Sequence, residues 1–110
     1  MIRKNLNFND FKSLIQTSVG AAVYFSNSNC SVCTVLRPKI EELFKANFPM
    51  IDFYHIPIED CPEITGQLSI FEAPMLIVYF EGKEFYRVNK NISINNLKST
   101  ITKPYLLLFS

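Results

Sequence analysis

Ala21-Ala22-Val23-Tyr24-Phe25 is a run with no charge and no apolar–polar alternation. A strand of that kind has no side to show to water, so it suits the centre of a sheet covered on both faces. Met75-Leu76-Ile77-Val78-Tyr79-Phe80 repeats the pattern and is the strongest strand signal in the chain. Ile51 to Ile58 reads as a further buried strand with Pro57 near its end. Glu84 to Val88 alternates as the return strand of a hairpin turning at Glu81-Gly82-Lys83. Residues 1–7 give only a weak edge-strand signal.

Helical spacing fills the intervals. Phe11, Leu14 and Ile15 mark a helix to about Thr17, with Asn9 as its expected cap. Val35, Leu36, Ile40, Leu43 and Phe44 mark one that runs from Cys33 to about Ala46, with Pro38 inside it. A short helix over about Pro62–Leu68 is capped by Asp60 or Cys61. Ser93 caps a last helix carrying Ile94, Leu97 and Ile101, and Pro104 is expected to end it. The order β-α-β-α-β-α-β-β-α predicts an α/β fold, a mixed central sheet flanked by helices on both faces. We expect a single domain over residues 1–110, with an apolar C-terminal tail at 104–110 that folds back over the sheet edge or meets a second copy. Self-packing is the favoured outcome, in a monomer or weak homodimer.

The 48% hydrophobic content is that of a chain that folds. Eleven basic and ten acidic residues leave a net charge of +1, which gives no electrostatic footprint for nucleic acid. No apolar run approaches a membrane span. The basic start, Met1 to Asn7, lacks the apolar stretch of a secretion signal, so a reducing, cytoplasmic location is expected.

Chemistry concentrates in Asn29-Cys30-Ser31-Val32-Cys33, where the first apolar strand gives way to a helix. A helix N-terminus presents unpaired N–H groups and partial positive charge, which favour a thiolate, the reactive form of cysteine. A disulfide across so short a loop restrains the unfolded chain little, so the pair makes a poor staple. These features favour a thiol–disulfide redox site. Metal binding and an inert thiol pair stay open beside it. A zinc site needs four ligands, and only Cys61 and His55 are left to supply imidazole or thiolate. Both are expected to lie away from Cys30, and no metal or other cofactor is expected. Clusters bridged between two copies form a remote option. Cys61 reads as a thiol with no assigned role, Tyr24 and the Phe8/Phe11 pair as core, His55 as a core residue with a secondary proton-transfer reading, and Lys90 as solvated.

With the C-x-x-C at a strand–helix junction, Pro38 in the following helix, Ala73-Pro74 before a late strand, the Pro62-to-Pro74 spacing and Gly82 in the turn, residues 8–102 resemble the thioredoxin family. The resemblance implies that Cys30 attacks a substrate disulfide and that Cys33 resolves the mixed disulfide. It also implies a cis bond at Pro74, with Ala73 and Pro74 facing the cysteines and binding an extended substrate segment. It implies protein disulfides as substrates and a thioredoxin-reductase-like or other thiol reductant as supplier of electrons. The chain departs from the family pattern in having no Trp. Tyr24 stands where the family has a buried aspartate, His55 where it often has lysine, and Lys90 where a glycine lines the groove. Without the aspartate the resolving step is expected to slow, and His55 is the candidate to replace it. The expectation is therefore a specialised or weak thiol–disulfide oxidoreductase, with a thioredoxin-like binding or adaptor domain as the alternative.

Overall fold

The computed structural model describes residues 6–109. Its elements run α1 (Phe8–Gln16), β1 (Gly20–Ser26), α2 (Ser31–Asn47), β2 (Asp52–Pro57), α3 (Pro62–Gln67), β3 (Met75–Phe80), β4 (Lys83–Val88) and α4 (Ile94–Phe109). The weak strand expected at residues 1–7 falls largely outside the described residues, and Asn7 leads straight into α1. Asn7, rather than Asn9, caps that helix: its side-chain oxygen accepts the Asp10 N–H at 2.8 Å.

The sheet order is β2-β1-β3-β4, with β1 parallel to β2 and antiparallel to β3, and β3 antiparallel to β4. The two continuous apolar runs are the two central strands. Every residue of β3 is buried, and β1 is buried up to its last residue, Ser26. The edge strands β2 and β4 are largely half-buried or exposed. Pairing of Phe80 with Lys83 leaves a two-residue loop, Glu81-Gly82, with φ of 53° and 80°. That is the turn whose twist matches a hairpin, and glycine meets its second positive φ without strain.

Alternation splits the core. Ala21, Val23, Phe25, Ile77 and Tyr79 pack with Phe11 and Ile15 of α1 and Ile64 of α3. Ala22, Tyr24, Leu76 and Val78 pack with Ile40, Leu43 and Phe44 of α2 and with Leu97 and Ile101 of α4. Helices therefore cover both faces.

Pro104 does not end α4; the helix continues through it to Phe109. Proline there removes one N–H and crowds the carbonyl four residues back, a cost of about 3 kcal/mol. The apolar stripe Leu97, Ile101, Tyr105, Leu108 carries on in helical register past the proline and packs on the α2-side core. The Tyr105 ring lies 5.1 Å from Phe48 and 4.8 Å from Phe109, and its hydroxyl accepts the Met50 N–H at 3.2 Å. Phe109 reaches Gly20 at the start of β1, where a Cβ would come within 3.2 Å of its ring. The expected tail is thus the last turns of a packed helix, with Leu106 and Leu107 on its exposed side.

Candidate functional site

β1 ends at Ser26, and the loop to α2 is tied by its own backbone. Asn27 accepts the Cys30 N–H at 3.2 Å through its carbonyl and the Asn29 N–H, also at 3.2 Å, through its side chain. Cys30 is the N-cap residue of α2, with extended backbone, and is joined to Cys33 in a disulfide. Its Sγ accepts the Cys33 N–H at 3.1 Å, the bond that a cap oxygen would otherwise make. The two sulfurs differ in access: Cys30 is half-buried, whereas Cys33 is 2% exposed.

Across from the disulfide, the Ala73–Pro74 peptide bond is cis, and the Ala73 carbonyl oxygen lies 3.9 Å from Cys30 Sγ. Proline here leaves no N–H just before β3. Val32 within the motif and Phe71 in the segment leading to Ala73 are exposed, Phe71 at 83%. Lys90 is exposed in the turn after β4.

Behind Cys33 lies a cavity of about 380 Å³ lined by Ser26, Asn27, Cys33, Thr34, Arg37, Pro38, Glu41 and His55. His55, expected away from Cys30 but named as the candidate proton acceptor for Cys33, is therefore on the wall of the cavity that Cys33 also lines. The reason is register: in parallel pairing His55 is Tyr24's partner, and alternation turns both toward α2. The two rings are 6.0 Å apart, and His55 Nε2 is 2.6 Å from Ser26 Oγ. Partial burial lowers the His55 pKa from its ordinary 6.5, and the Arg37 guanidinium lowers it further; Glu41, Asp60 and Glu59 oppose this without reversing it. The ring is neutral at pH 7. Arg37 pairs with Glu41 at 2.6 Å, one turn along α2.

Tyr24 is fully buried, and its hydroxyl donates to the Cys33 carbonyl at 2.9 Å, which ties the first turn of α2 to the sheet. Burial raises its pKa to about 12. A phenol of that kind takes no proton from a thiol at neutral pH. Cys61 packs in the core on the other face of the sheet, under α1 and α3. Among the described residues, no group of three or more His, Cys, Asp and Glu side chains is gathered as a metal site requires.

Sequence reasoning did not single out Ser26, Arg37 or Glu41. A signal existed for Ser26: it is the polar residue ending an apolar strand, in phase with Tyr24. Arg37 and Glu41 carry the i,i+4 pattern of any exposed helix pair, which does not point to a site.

The thioredoxin family model matches residues 3–103. The thioredoxin-like protein YdfQ of Bacillus subtilis is 29% identical over 85 residues, covering 77% of this chain and 75% of that one. A thioredoxin of Alicyclobacillus acidocaldarius is 27% identical over 74 residues, covering 67% of this chain and 70% of its own. Among solved structures, Fasciola hepatica thioredoxin superposes with a TM-score of 0.77 at 26% identity, covering 93% of this chain and 98% of that one. Oxidised mitochondrial thioredoxin 3 of Saccharomyces cerevisiae shares the fold, with a TM-score of 0.77 at 21% identity over 91% of this chain and 92% of that one.

Proposed function

We propose, from the premise that this chain belongs to the thioredoxin family, that it reduces or exchanges protein disulfides through the Cys30–Cys33 couple. The observation that carries this reading is the disulfide at the start of α2, with one accessible sulfur and one buried. In the reduced protein, Cys30 is the nucleophile. The Cys33 N–H and the positive end of α2 stabilise its thiolate. It attacks one sulfur of the substrate disulfide, and the other sulfur leaves as a thiolate that takes a proton from water. Cys33 then loses its proton and attacks Cys30 Sγ. The bond to the substrate breaks, and the disulfide seen here is left. Two electrons pass to the substrate, and a thioredoxin-reductase-like or other thiol reductant returns them. A reducing compartment such as the cytoplasm supplies that reductant.

Ala73 and Pro74 bind the substrate. The Ala73 carbonyl faces Cys30 and can accept from an extended segment laid beside it. Exposed Val32 and Phe71 put apolar surface on both segments that meet at Cys30. His55, neutral and on the wall of Cys33's cavity, takes the proton that Cys33 gives up.

Replacing Cys30 with Ser is expected to end reduction of a disulfide-bonded protein, and replacing Cys33 with Ser to trap the mixed disulfide. Unchanged turnover in Cys30→Ser overturns the reading. A binding or adaptor domain with weak or no redox turnover is the second reading, favoured by Tyr24 at the place of the family's aspartate. It predicts that Cys30→Ser keeps its partner and that the wild type turns over substrate weakly or not at all.

A further inference from the structure

The cavity behind Cys33 contains a hydroxyl–imidazole pair that the family pattern does not supply. Ser26 closes β1, and its Oγ lies 2.6 Å from His55 Nε2, short for a hydrogen bond with a nitrogen partner. Ser26 and Cys33 line the cavity together with the ring. The groups around the imidazole come from every element packed on it: Tyr24 and Ser26 from β1, Arg37 and Glu41 from α2, and Glu59 and Asp60 just after β2. Arg37 and Glu41 largely satisfy each other. Tyr24 is occupied by the Cys33 carbonyl. Of the groups lining the cavity, the imidazole is the base that is neutral at pH 7.

We propose that Ser26 is a catalytic residue of the resolving step: its hydroxyl donates to His55 Nε2, holds the ring in the tautomer protonated at Nδ1, and relays the Cys33 proton to it. The proposal rests on the oxidoreductase reading above. In the step, the Cys33 S–H proton passes across the cavity to Ser26 Oγ as the Ser26 proton passes to Nε2. The Cys33 sulfur bonds to Cys30 Sγ, and the bond from Cys30 to the substrate sulfur breaks. The electron pair leaves with the substrate thiolate. The imidazolium then returns its proton to water through the open mouth of the cavity. A hydroxyl and an imidazole thus do what a buried carboxylate does elsewhere in the family.

The test separates the two thiol steps. Fully reduced protein is mixed with excess dithiobis(nitrobenzoate), and release of the coloured thiolate is followed by stopped flow across pH. The first phase, attack by Cys30, scales with reagent concentration. The second, attack by Cys33 within the mixed disulfide, does not, and it is absent in Cys33→Ser. In the wild type the second phase is expected to fall as pH drops and His55 protonates. His55→Gln is expected to slow it on the order of 10²-fold. Ser26→Ala is expected to slow it to a similar extent, as loss of the group that receives the proton does. In both variants the low-pH inflection disappears while the first phase is unchanged, and Ser26→Thr, which keeps the hydroxyl, restores rate and inflection. A second phase in Ser26→Ala with wild-type rate and inflection overturns the proposal. So does a loss in Ser26→Ala shared equally by both phases, or a failure of Ser26→Thr to restore the second. Failure of the underlying reading looks different: the wild type shows no concentration-independent phase at all.

Discussion

The two faces of the sheet use alternate residues of the same strands, yet only one contains chemistry. Under α1 and α3, Val23, Phe25, Ile77 and Tyr79 meet Phe11, Ile15 and Ile64 in an apolar layer. Under α2 and α4, the residues in between include Tyr24, Ser26 and His55, and the first turn of α2 brings Cys33 to them. The buried tyrosines make the contrast sharpest. Both have a pKa raised to about 12, chiefly by burial. The Tyr24 hydroxyl is spent on the Cys33 carbonyl, whereas the Tyr79 hydroxyl has no hydrogen-bond partner among the described residues. A polar group on the redox face positions the site; on the other face it is a cost absorbed by packing.

The cysteines provide the largest test of that contrast. Cys30→Ser is expected to abolish protein-disulfide reduction, while Cys61→Ala, in the apolar layer, leaves the rate unchanged in the same assay. A rate loss in Cys61→Ala would mean that the two faces are coupled. Next in size is the end of α4. Tyr105→Ala is expected to cost about 2 kcal/mol in urea unfolding, the low end for a large side chain removed from a packed site. Leu107→Ala, on the exposed side, should stay within about 0.5 kcal/mol. Equal effects would contradict the packing of this helix described above.

The tyrosines themselves come third. Tyr24→Phe is expected to lower the unfolding free energy by about 1 kcal/mol at unchanged denaturant slope, whereas Tyr79→Phe, which removes an unpaired buried hydroxyl, should be neutral or stabilising. A smaller, pH-dependent difference follows from His55. Its pKa is lowered in the folded protein, so the unfolded chain binds the proton more readily. Stability is therefore full above the ordinary value of 6.5 and declines as pH falls through it toward the folded value. His55→Gln should flatten that decline in a pH series of melting curves. Smallest of all, Glu41→Gln removes an exposed pair and should cost about 0.3–0.5 kcal/mol, and less at high salt.

How much of this could be read from the residues depended on how local the signal was. The central strands were legible because continuous apolar runs admit no other placement. Cys30, Cys33 and the Ala73-Pro74 loop were legible because several markers agree in spacing. Pro104 misled because a proline reads as a helix stop locally, while the packing of Tyr105, Leu108 and Phe109 that carries the helix past it is tertiary. Asn7 and Asn9 are both good caps in sequence, and only the side-chain bond to Asp10 distinguishes them. His55 was legible as a candidate partner of Cys33 only through the family resemblance, not from its local sequence. Its proximity to Cys33 follows from a parallel register between strands some thirty residues apart, which no local pattern records.

If Cys30 and Cys33 form a working redox couple, their redox equilibrium shows it directly. The intact protein is equilibrated in a series of thiol–disulfide buffers, quenched by alkylation, and read by mass spectrometry residue by residue. A reversible two-electron transition is expected, in which Cys30 and Cys33 gain and lose the label together while Cys61 stays constant across the series. A pair that stays open in the most oxidising buffer, or that closes only with Cys61 involved, would contradict it.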